Sequence, residues 1–352
     1  MSQRLLVVTS VHPADDPRIR EKHIRTLADE FDVVYVTKAP APSDRDGIEW
    51  RELSGGRVSR WFSSLRIMLT TRTDVIAIHD PELVPAGILA RFVRRKPVVF
   101  DLHENVPAQI LTRPSLPWVL RRPLAAVARF WLSMAERYLT VSLAEDGYRP
   151  LFVSDHPVFP NYPEVPLLPE AVSGERSGIV YVGDVTEQRG AVTLLDAAAD
   201  AGIGPVLYVG RCNDTLRRHL LERAAERGVA IELLGWRPHA EAMAIAGRAL
   251  AGVSPLHNTP NYRNSLPTKT LEYLVMGTPV VASDLPGTSS VIGSLPGVRL
   301  VPAGDVGALA RALDSIDAVL AEEAVEGVGD VRRQFRWPSD EVRAFYVSLL
   351  ED

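Results

Sequence analysis

Short apolar runs alternate with longer amphipathic segments along the first half of the chain. The apolar runs, rich in valine and isoleucine, are RLLVVTS, DVVYVTK, DVIAIHD and PVVFDLH. Between them lie segments with apolar residues at helical spacing, including IREKHIRTLADEF and residues 85–93. Strands that alternate with helices in this way predict a parallel, doubly wound sheet of the α/β class.

The second half repeats the alternation. Its apolar runs are GIVYVGD, PVLYVGR, VAIELLG and ALAGVSPL, and helical patterns such as AVTLLDAAADAG and TLRRHLLERAAERG separate them. A proline-rich stretch between the halves is typical of a linker. We therefore predict a Rossmann-like domain over 1–165, a linker over 166–177, a second Rossmann-like domain over 178–336, and a helix over 337–352 that returns to the first domain.

One stretch of the second half, NSLPTKTLEYLVMGTPVVASD, combines a short helix with a buried strand. Pro267 and Thr268 suit a helix start, Gly277 suits its end, and PVVAS has the composition of a parallel strand. We expect Glu272 to lie in the first turn of this helix. The free N–H groups at a helix start favour an anion, and Lys269 adds a positive charge. The stretch therefore predicts a phosphate site.

The composition, 46% hydrophobic and 24% charged over 352 residues, is typical of a globular protein with two domains. The net charge is −5, and no basic stripe with interleaved aromatic residues indicates a nucleic-acid partner. The single cysteine, Cys212, excludes an intrachain disulfide and a cysteine-based metal cluster, which favours a reducing cytoplasm. The first apolar run is too short for a secretory signal, and no run reaches the length of a membrane span.

The residues that follow each predicted strand are rich in histidine, aspartate, arginine and glycine. They occupy segments 10–18, 79–80, 101–104, 183–190, 210–211, 235–238 and 257–269. Ligands of open α/β sheets bind outside the carboxyl ends of the strands. We therefore expect one half of a binding site in each domain.

Five motifs in order along the chain carry a resemblance to a known family. They are TSVHPADDPRIREKHIRTL, VVFDLHENVP, YVGDVTEQRG, LLGWRP and SLPTKTLEYLVMGTPVVASDLPG. In their order and spacing the chain resembles the family-4 retaining glycosyltransferases. The resemblance implies a GT-B fold, in which two Rossmann-like doubly wound domains face each other across a cleft. It also implies a nucleoside-diphosphate sugar (UDP-, GDP-, ADP- or dTDP-linked) as donor in the C-terminal domain, an acceptor in the N-terminal domain, no cofactor and no metal.

The resemblance assigns donor-side roles to residues of the second half. Glu272 would accept hydrogen bonds from the ribose hydroxyls, for which a carboxylate is suited; the alternative is a glutamate that only complements the helix dipole. Arg189 would hold the diphosphate as negative charge builds on the leaving group, with Lys269 sharing that charge. Gly183 would allow a close approach of the backbone. The loop residues Asn264, Ser265, Leu266, Pro267 and Thr268 would also line the donor site.

Trp236 follows the LLG strand, where the family's base-contacting loop lies. Its indole either stacks on the base or anchors the loop as a buried side chain.

Within the first domain, His103 corresponds to the family histidine near the reacting sugar, unless it is a structural histidine whose hydrogen bonds are all made inside the protein. His79, Asp80 and Glu104 lie at the same strand ends. The loop residues Asp16 and Arg18 replace a glycine-rich loop and are expected to border the acceptor.

Two positions depart from the family pattern. Asn264 stands where the family commonly has a first glutamate, and Asp184 follows Gly183 where the family has arginine. These departures leave alternatives beside a retaining glycosyltransferase: a non-catalytic nucleotide-sugar-binding partner subunit, or a nucleotide-sugar epimerase or phosphorylase on the same fold. A two-domain small-ligand binding protein is a further alternative. The base, the sugar and the oligomeric state stay open.

The acceptor also stays open between a glycan, a lipid-linked saccharide and a secondary metabolite. Residues 118–139 place Arg121, Arg122 and Arg129 beside Trp118 and aromatic neighbours. Such a composition suits either a peripheral contact with the inner face of a membrane or an ordinary amphipathic helix with its arginines outward.

Overall fold

Two parallel six-stranded sheets organise the chain in a computed structural model that describes residues 3–38, 47–113, 115–165, 168 and 176–351. One compact unit comprises Met1–Asn161 and Trp337–Asp352, and the other comprises Tyr162–Arg336. Most of the linker predicted at 166–177 lies outside the described residues.

The sheet of the first unit has the strand order β3-β2-β1-β4-β5-β6. Its strands are β1 (Gln3–Val8), β2 (Phe31–Thr37), β3 (Glu49–Glu52), β4 (Val75–Ile78), β5 (Val98–Leu102) and β6 (Thr140–Leu143). The helices that cover it are α1 (Arg25–Leu27), α2 (Arg57–Thr70), α3 (Val84–Arg94), α4 (Val106–Thr112), α5 (Trp118–Tyr138) and α14 (Ser339–Ser348). Successive side chains of a strand point to opposite faces, so Leu6 and Val8 enter the core under α2, α3 and α5, whereas Leu5 and Val7 enter the core under α14.

The sheet of the second unit has the order β12-β11-β10-β7-β8-β9. Its strands are β7 (Ile179–Val182), β8 (Val206–Val209), β9 (Ile231–Gly235), β10 (Ala251–Ser254), β11 (Val280–Ser283) and β12 (Val298–Val301). Its helices are α6 (Ala191–Ala201), α7 (Asp214–Arg227), α8 (His239–Ala246), α9 (Thr268–Val275), α10 (Pro286–Ile292), α11 (Val306–Asp314), α12 (Ala318–Glu326) and α13 (Val328–Gln334). Both sheets therefore have the doubly wound order in which the winding direction reverses between the first and the fourth strand.

The predicted alternation of strands and helices is confirmed, with two local differences. The helix expected from IREKHIRTLADEF begins earlier, at Pro17, as a π-helical segment (Pro17–Ile24) that continues into α1. It begins there because Asp16 Oδ1 accepts hydrogen bonds from the N–H groups of Arg18 and Ile19, each at 3.0 Å. Glu272 was expected in the first turn of its helix, but α9 begins at Thr268 and has no acidic residue in its first turn. Its carboxylate therefore lies one turn further along the helix.

Candidate functional site

The switch point of the second sheet lies between β7 and β10, and two cationic side chains converge there. Gly183 directly follows β7 and has a φ of +123°, a backbone conformation that residues other than glycine rarely adopt. A Cβ placed on Gly183 would lie 3.4 Å from Lys269 Nζ and 3.5 Å from Arg189 Nη1. A glycine thus leaves room between two positive groups at the edge where ligands of such sheets bind.

Lys269 reaches this point from the first turn of α9. Its ammonium is buried, lies 3.7 Å from the ring centroid of Tyr181, and has no hydrogen-bond partner in the described part of the chain. Burial and the positive charge of Arg189 lower the pKa of Lys269 well below its ordinary value, against the opposing charges of Glu272 and Asp184. A bound anion would relieve this cost, because it would supply the missing partner.

Arg189 stands on the loop between β7 and α6. Its Nε lies 3.3 Å from the hydroxyl oxygen of Tyr262, to which it donates. Gly190 follows with a φ of +78°, and a Cβ there would come within 2.0 Å of the carbonyl oxygen of Pro255. Only glycine allows the loop to pass this closely over the end of β10, so the position of Arg189 depends on Gly190.

Glu272 lies on α9 with a neighbour that the sequence did not indicate. Its Oε1 is 2.9 Å from Nε2 of His239, the first residue of α8. The next residue, Tyr273, anchors the helix: its hydroxyl accepts the N–H of Val182 at 2.8 Å. A Cβ on Gly252 of β10 would lie 2.1 Å from the Tyr273 ring. This packing holds Glu272 near the end of β7.

The loop before α9 packs closely on α10. Asn264 is exposed, while Ser265, Leu266, Pro267 and Thr268 are half-buried. Gly287 donates its N–H to the carbonyl of Arg263 at 3.0 Å. Trp236, for which a stacking and a buried role were both open, is 51% exposed. Its indole is therefore not a buried anchor of the loop.

The switch point of the first sheet lies between β1 and β4 and holds an acid–imidazole pair in which the acid is buried. Asp80 Oδ1 lies 2.8 Å from His12 Nδ1, and Oδ2 accepts from Thr9 Oγ1 at 3.0 Å and from the backbone N–H of Ser10. Burial alone would raise the pKa of Asp80, but the hydrogen bond and charge of His12 outweigh it and lower the pKa to about 2. The pKa of His12 is raised above 6.5 because Asp80 outweighs the opposing effect of burial.

His103 follows β5 and contacts His12 of this pair. Its Nε2 lies 3.1 Å from Nε2 of His12, and its Nδ1 lies 3.3 Å from the carbonyl oxygen of Asp101. Burial and the charge of His12 lower the pKa of His103. These directions favour an imidazolium on His12 that donates to a neutral His103. Glu104, the next residue, is exposed.

A second buried cluster surrounds Asp101. Arg18 donates from Nε and Nη2 to its two oxygens, each at 2.8 Å, and from Nη1 to the carbonyl of Phe159 at 3.0 Å. His79 Nδ1 lies 3.3 Å from Asp101 Oδ2. Arg18 was expected to border the acceptor, but its side chain is only 3% exposed and its guanidinium is occupied in the interior. Asp16, from the same loop, caps the segment that begins at Pro17.

Three side chains could together face a metal ion. One ligand atom of each of His79, Asp101 and His103 lies within 4.8 Å of the others. However, both oxygens of Asp101 already accept from the Arg18 guanidinium, whose charge would repel a cation. The residues therefore fit an internal ion pair better than a metal centre.

Comparisons with known proteins show which families this chain resembles. Residues 176–317 match the family model described as Glycosyl transferases group 1. Phosphatidyl-myo-inositol mannosyltransferase of Mycobacterium leprae (strain TN) is 27% identical over 293 residues, which is 80% of this chain and 73% of that protein. The 2-deoxystreptamine N-acetyl-D-glucosaminyltransferase of Streptomyces fradiae is 28% identical over 310 residues, 79% of this chain and 71% of that protein.

The predicted resemblance to glycosyltransferases is confirmed. Solved structures extend it to the fold. Sucrose-phosphate synthase from Thermosynechococcus elongatus matches 99% of this chain and 98% of its own with a TM-score of 0.75 at 17% identity. Anabaena HepE in complex with UDP-glucose matches 99% of both chains with a TM-score of 0.72 at 14% identity. The fold is GT-B, as the motifs implied.

Sequence reasoning missed His12, Tyr181, His239 and Tyr262 as site residues. His12 and Tyr181 carry one available signal, since each lies within a few residues of a strand end. His239 carries none, because it reaches the site from a helix start whose position depends on packing. Tyr262 was noticed only as part of the segment 257–269 that follows a strand. Asp101 was noticed only as part of a polar segment, and its pairing with Arg18 joins residues 83 positions apart.

Proposed function

We propose that this protein is a retaining glycosyltransferase that moves a sugar from a nucleoside-diphosphate sugar to an acceptor hydroxyl. The convergence of Lys269 and Arg189 over Gly183 carries the proposal, because two cations beside an open backbone at a switch point suit a diphosphate. A solved structure of the same fold, Anabaena HepE, is in complex with UDP-glucose.

On this proposal the chain's own side chains stabilise the leaving group. Arg189 and Lys269 would face the diphosphate, and the start of α9 would add its N–H groups. Glu272 would accept from the ribose hydroxyls while His239 holds its other side. The acceptor oxygen would attack the anomeric carbon from the face that the diphosphate leaves, which retains the configuration. Positive charge from arginine and lysine would take the place that a metal has in other transferases.

The first unit would bind the acceptor near His103. The pair of Asp80 and His12 would keep an imidazolium beside His103 and so fix which ring nitrogen of His103 carries its proton. The two relatives are named for phosphatidyl-myo-inositol and for 2-deoxystreptamine. We therefore propose a hydroxyl of a saccharide, a lipid-linked saccharide or a small molecule as acceptor.

Calorimetric titration with UDP, GDP, ADP, dTDP and the matching sugars, with a chelator present, tests the donor site. We expect one nucleotide to bind, and Glu272→Ala to weaken it by about 1.5–3 kcal/mol, roughly ten- to a hundredfold. Glu241→Ala on α8, an exposed glutamate, is the matched control. Binding that is indifferent to Glu272, or no binding at all, would overturn the assignment.

The departures at Asn264 and Asp184 favour one second candidate, a nucleotide-sugar-binding subunit without activity. Asn264 is exposed and lacks the charge that a glutamate would place near an oxocarbenium-like transition state. Such a subunit would bind the nucleotide but form no product with any acceptor. Incubation with the donor alone distinguishes an epimerase from both candidates, because an epimerase would convert the donor without an acceptor.

A further inference from the structure

Three segments of the first unit contain no carboxylate. Residues 53–73, 83–100 and 105–135 each carry four lysines or arginines and no aspartate or glutamate. They include all of α2, α3 and α4 and most of α5. The overall charge of the chain is negative, so this basic region is a local feature of one part of the molecule.

Helices α2, α3 and α5 form one layer on the first sheet, and α4 adjoins this layer through α5. Helix α3 packs on both α2 and α5, and α4 packs on α5. Buried residues of α2, α3 and α5 share one core with the sheet residues Leu6 and Val8. Their outward sides therefore belong to a single surface, which we call the α2–α5 face.

The outward side of α5 is apolar where a helix in water is normally polar. Its sheet side is buried through Ala125, Leu132 and Ala135. Its large exposed apolar side chains are Trp118, Val119, Leu120, Leu124, Val127 and Phe130. Trp118 is 80% exposed and Phe130 is 53% exposed.

The apolar surface continues onto the neighbouring helices. Phe92 of α3 and Phe62 of α2 are each 61% exposed. Exposed apolar patches of this extent on a protein surface mark an interaction site.

Basic side chains border the apolar ones. Arg122 and Arg129 of α5 are exposed; Arg122 lies one turn after Trp118, and Arg129 is the residue before Phe130. Not every cation of the region is outward: Arg94, for example, donates to the carbonyls of Leu69 and Thr71. Glu82, close to the region, is paired with Arg57.

We propose that the α2–α5 face docks on the surface of an anionic phospholipid bilayer. Protein surfaces that bind the interface of such a bilayer combine exposed tryptophan and phenylalanine with arginine and have few carboxylates. No helix among the described residues has the length and apolar character to cross a membrane, so the contact is peripheral. The inference does not depend on the donor site and would stand if nucleotide binding failed.

Sedimentation with sucrose-loaded vesicles tests the proposal. We expect the full chain to bind phosphatidylcholine vesicles that contain about 30% phosphatidylglycerol, to bind pure phosphatidylcholine vesicles much less, and to lose binding as salt rises to about 0.5 M. Trp118→Ser with Phe130→Ser, and separately Arg122→Glu with Arg129→Glu, should each weaken binding roughly tenfold or more.

Matched controls lie in the second unit. Val319→Ser with Val325→Ser removes exposed apolar side chains from α12, and Arg217→Glu with Arg218→Glu reverses exposed charges on α7. Circular dichroism and nucleotide titration would verify that all variants are folded. The proposal is overturned if wild type fails to bind anionic vesicles, or if the α5 variants bind as wild type does. It is also overturned if the α5 variants bind vesicles as wild type does but lose a self-association, or a binding to nucleic acid, that wild type shows.

Discussion

A glycine and a tyrosine decide where helix α9 lies. The ring of Tyr273 rests against the backbone of Gly252, and its hydroxyl accepts the N–H of Val182. The two contacts join α9 to β10 and to β7. Glu272 and Lys269 lie on the same helix, so their positions depend on the packing of Tyr273 against Gly252 and Val182.

We predict that Gly252→Ala destabilises the protein by about 1–3 kcal/mol, because the new methyl group would overlap the Tyr273 ring. Urea unfolding measures the change. Gly307→Ala on α11 is the control: a Cβ there would make an ordinary contact 3.5 Å from Arg311. Equal effects of the two substitutions would mean that Tyr273 does not constrain position 252.

Lys269→Met should weaken nucleotide binding without lowering the free energy of unfolding. The folded state disfavours the buried ammonium, as its lowered pKa indicates, whereas the unfolded chain keeps it charged at neutral pH. Removing the charge should therefore leave the free energy of unfolding unchanged or higher, while binding of a nucleoside diphosphate weakens at least tenfold. Lys38→Met, at an exposed lysine, is the control. Unchanged nucleotide affinity would exclude Lys269 from the diphosphate site.

His23 should contribute to acid sensitivity. Burial lowers its pKa well below 6.5, against the opposing charge of Asp101. Below about pH 6.5 the unfolded chain binds a proton that the folded chain does not, so stability falls as pH falls, by up to about 1.4 kcal/mol per pH unit. Urea unfolding between pH 7 and about 5 should give a shallower decline for His23→Leu. His219→Leu, at an exposed histidine, should reproduce the wild-type slope.

At the scale of elements, capping side chains determine where several helices begin. Asp16 caps the segment Pro17–Ile24, and proline at its first position suits a helix start. In the same way Asn213 and Asp305 cap α7 and α11. These caps are readable from the sequence because each bond joins residues only two or three positions apart.

Asp16→Ala should cost about 1 kcal/mol of stability through the lost cap. Asp15→Ala, at the exposed preceding residue, should change stability little. The pair also tests the acceptor-side assignment of Asp16. A role limited to capping predicts lower stability with an unchanged KM for the acceptor, whereas a raised KM would place Asp16 at the acceptor.

At the scale of the molecule, the end of the chain completes the first unit. Helix α14 packs against the segment that begins at Pro17. Trp337 is buried, and its Nε1 donates to Thr26 Oγ1 at 2.9 Å across 311 positions of sequence. The first unit therefore depends on residues that are synthesised after the whole second unit.

Trp337→Ala should destabilise the first unit by about 3–5 kcal/mol, since a large buried side chain leaves a cavity. Thermal unfolding followed by calorimetry should show an earlier transition, while nucleotide affinity in the second unit is retained. Glu341→Ala, at an exposed residue of α14, should unfold as wild type does. A wild-type transition for Trp337→Ala would contradict the packing of this tryptophan.

The fold, and the order of helix and strand around Lys269 and Glu272, were readable from the sequence because their signals are local. Period and composition within ten residues predicted β7, β10 and α9. The motif around Lys269 and Glu272 is one of the five whose order and spacing carried the glycosyltransferase resemblance. The same reasoning placed Glu272 one turn too early, since a proline near a helix start does not show which residue begins the helix.

The tertiary structure alone brought together His12 with Asp80 and Arg18 with Asp101. His12 and Asp80 follow different strands, and Arg18 of the segment Pro17–Ile24 reaches Asp101 of β5. Strand order depends on burying both faces of a whole sheet rather than on any local pattern. The same holds for the exposed side of α5. Its arginines and aromatic residues were visible in the sequence, but only the packing of α3 and α4 against it showed which of them face outward.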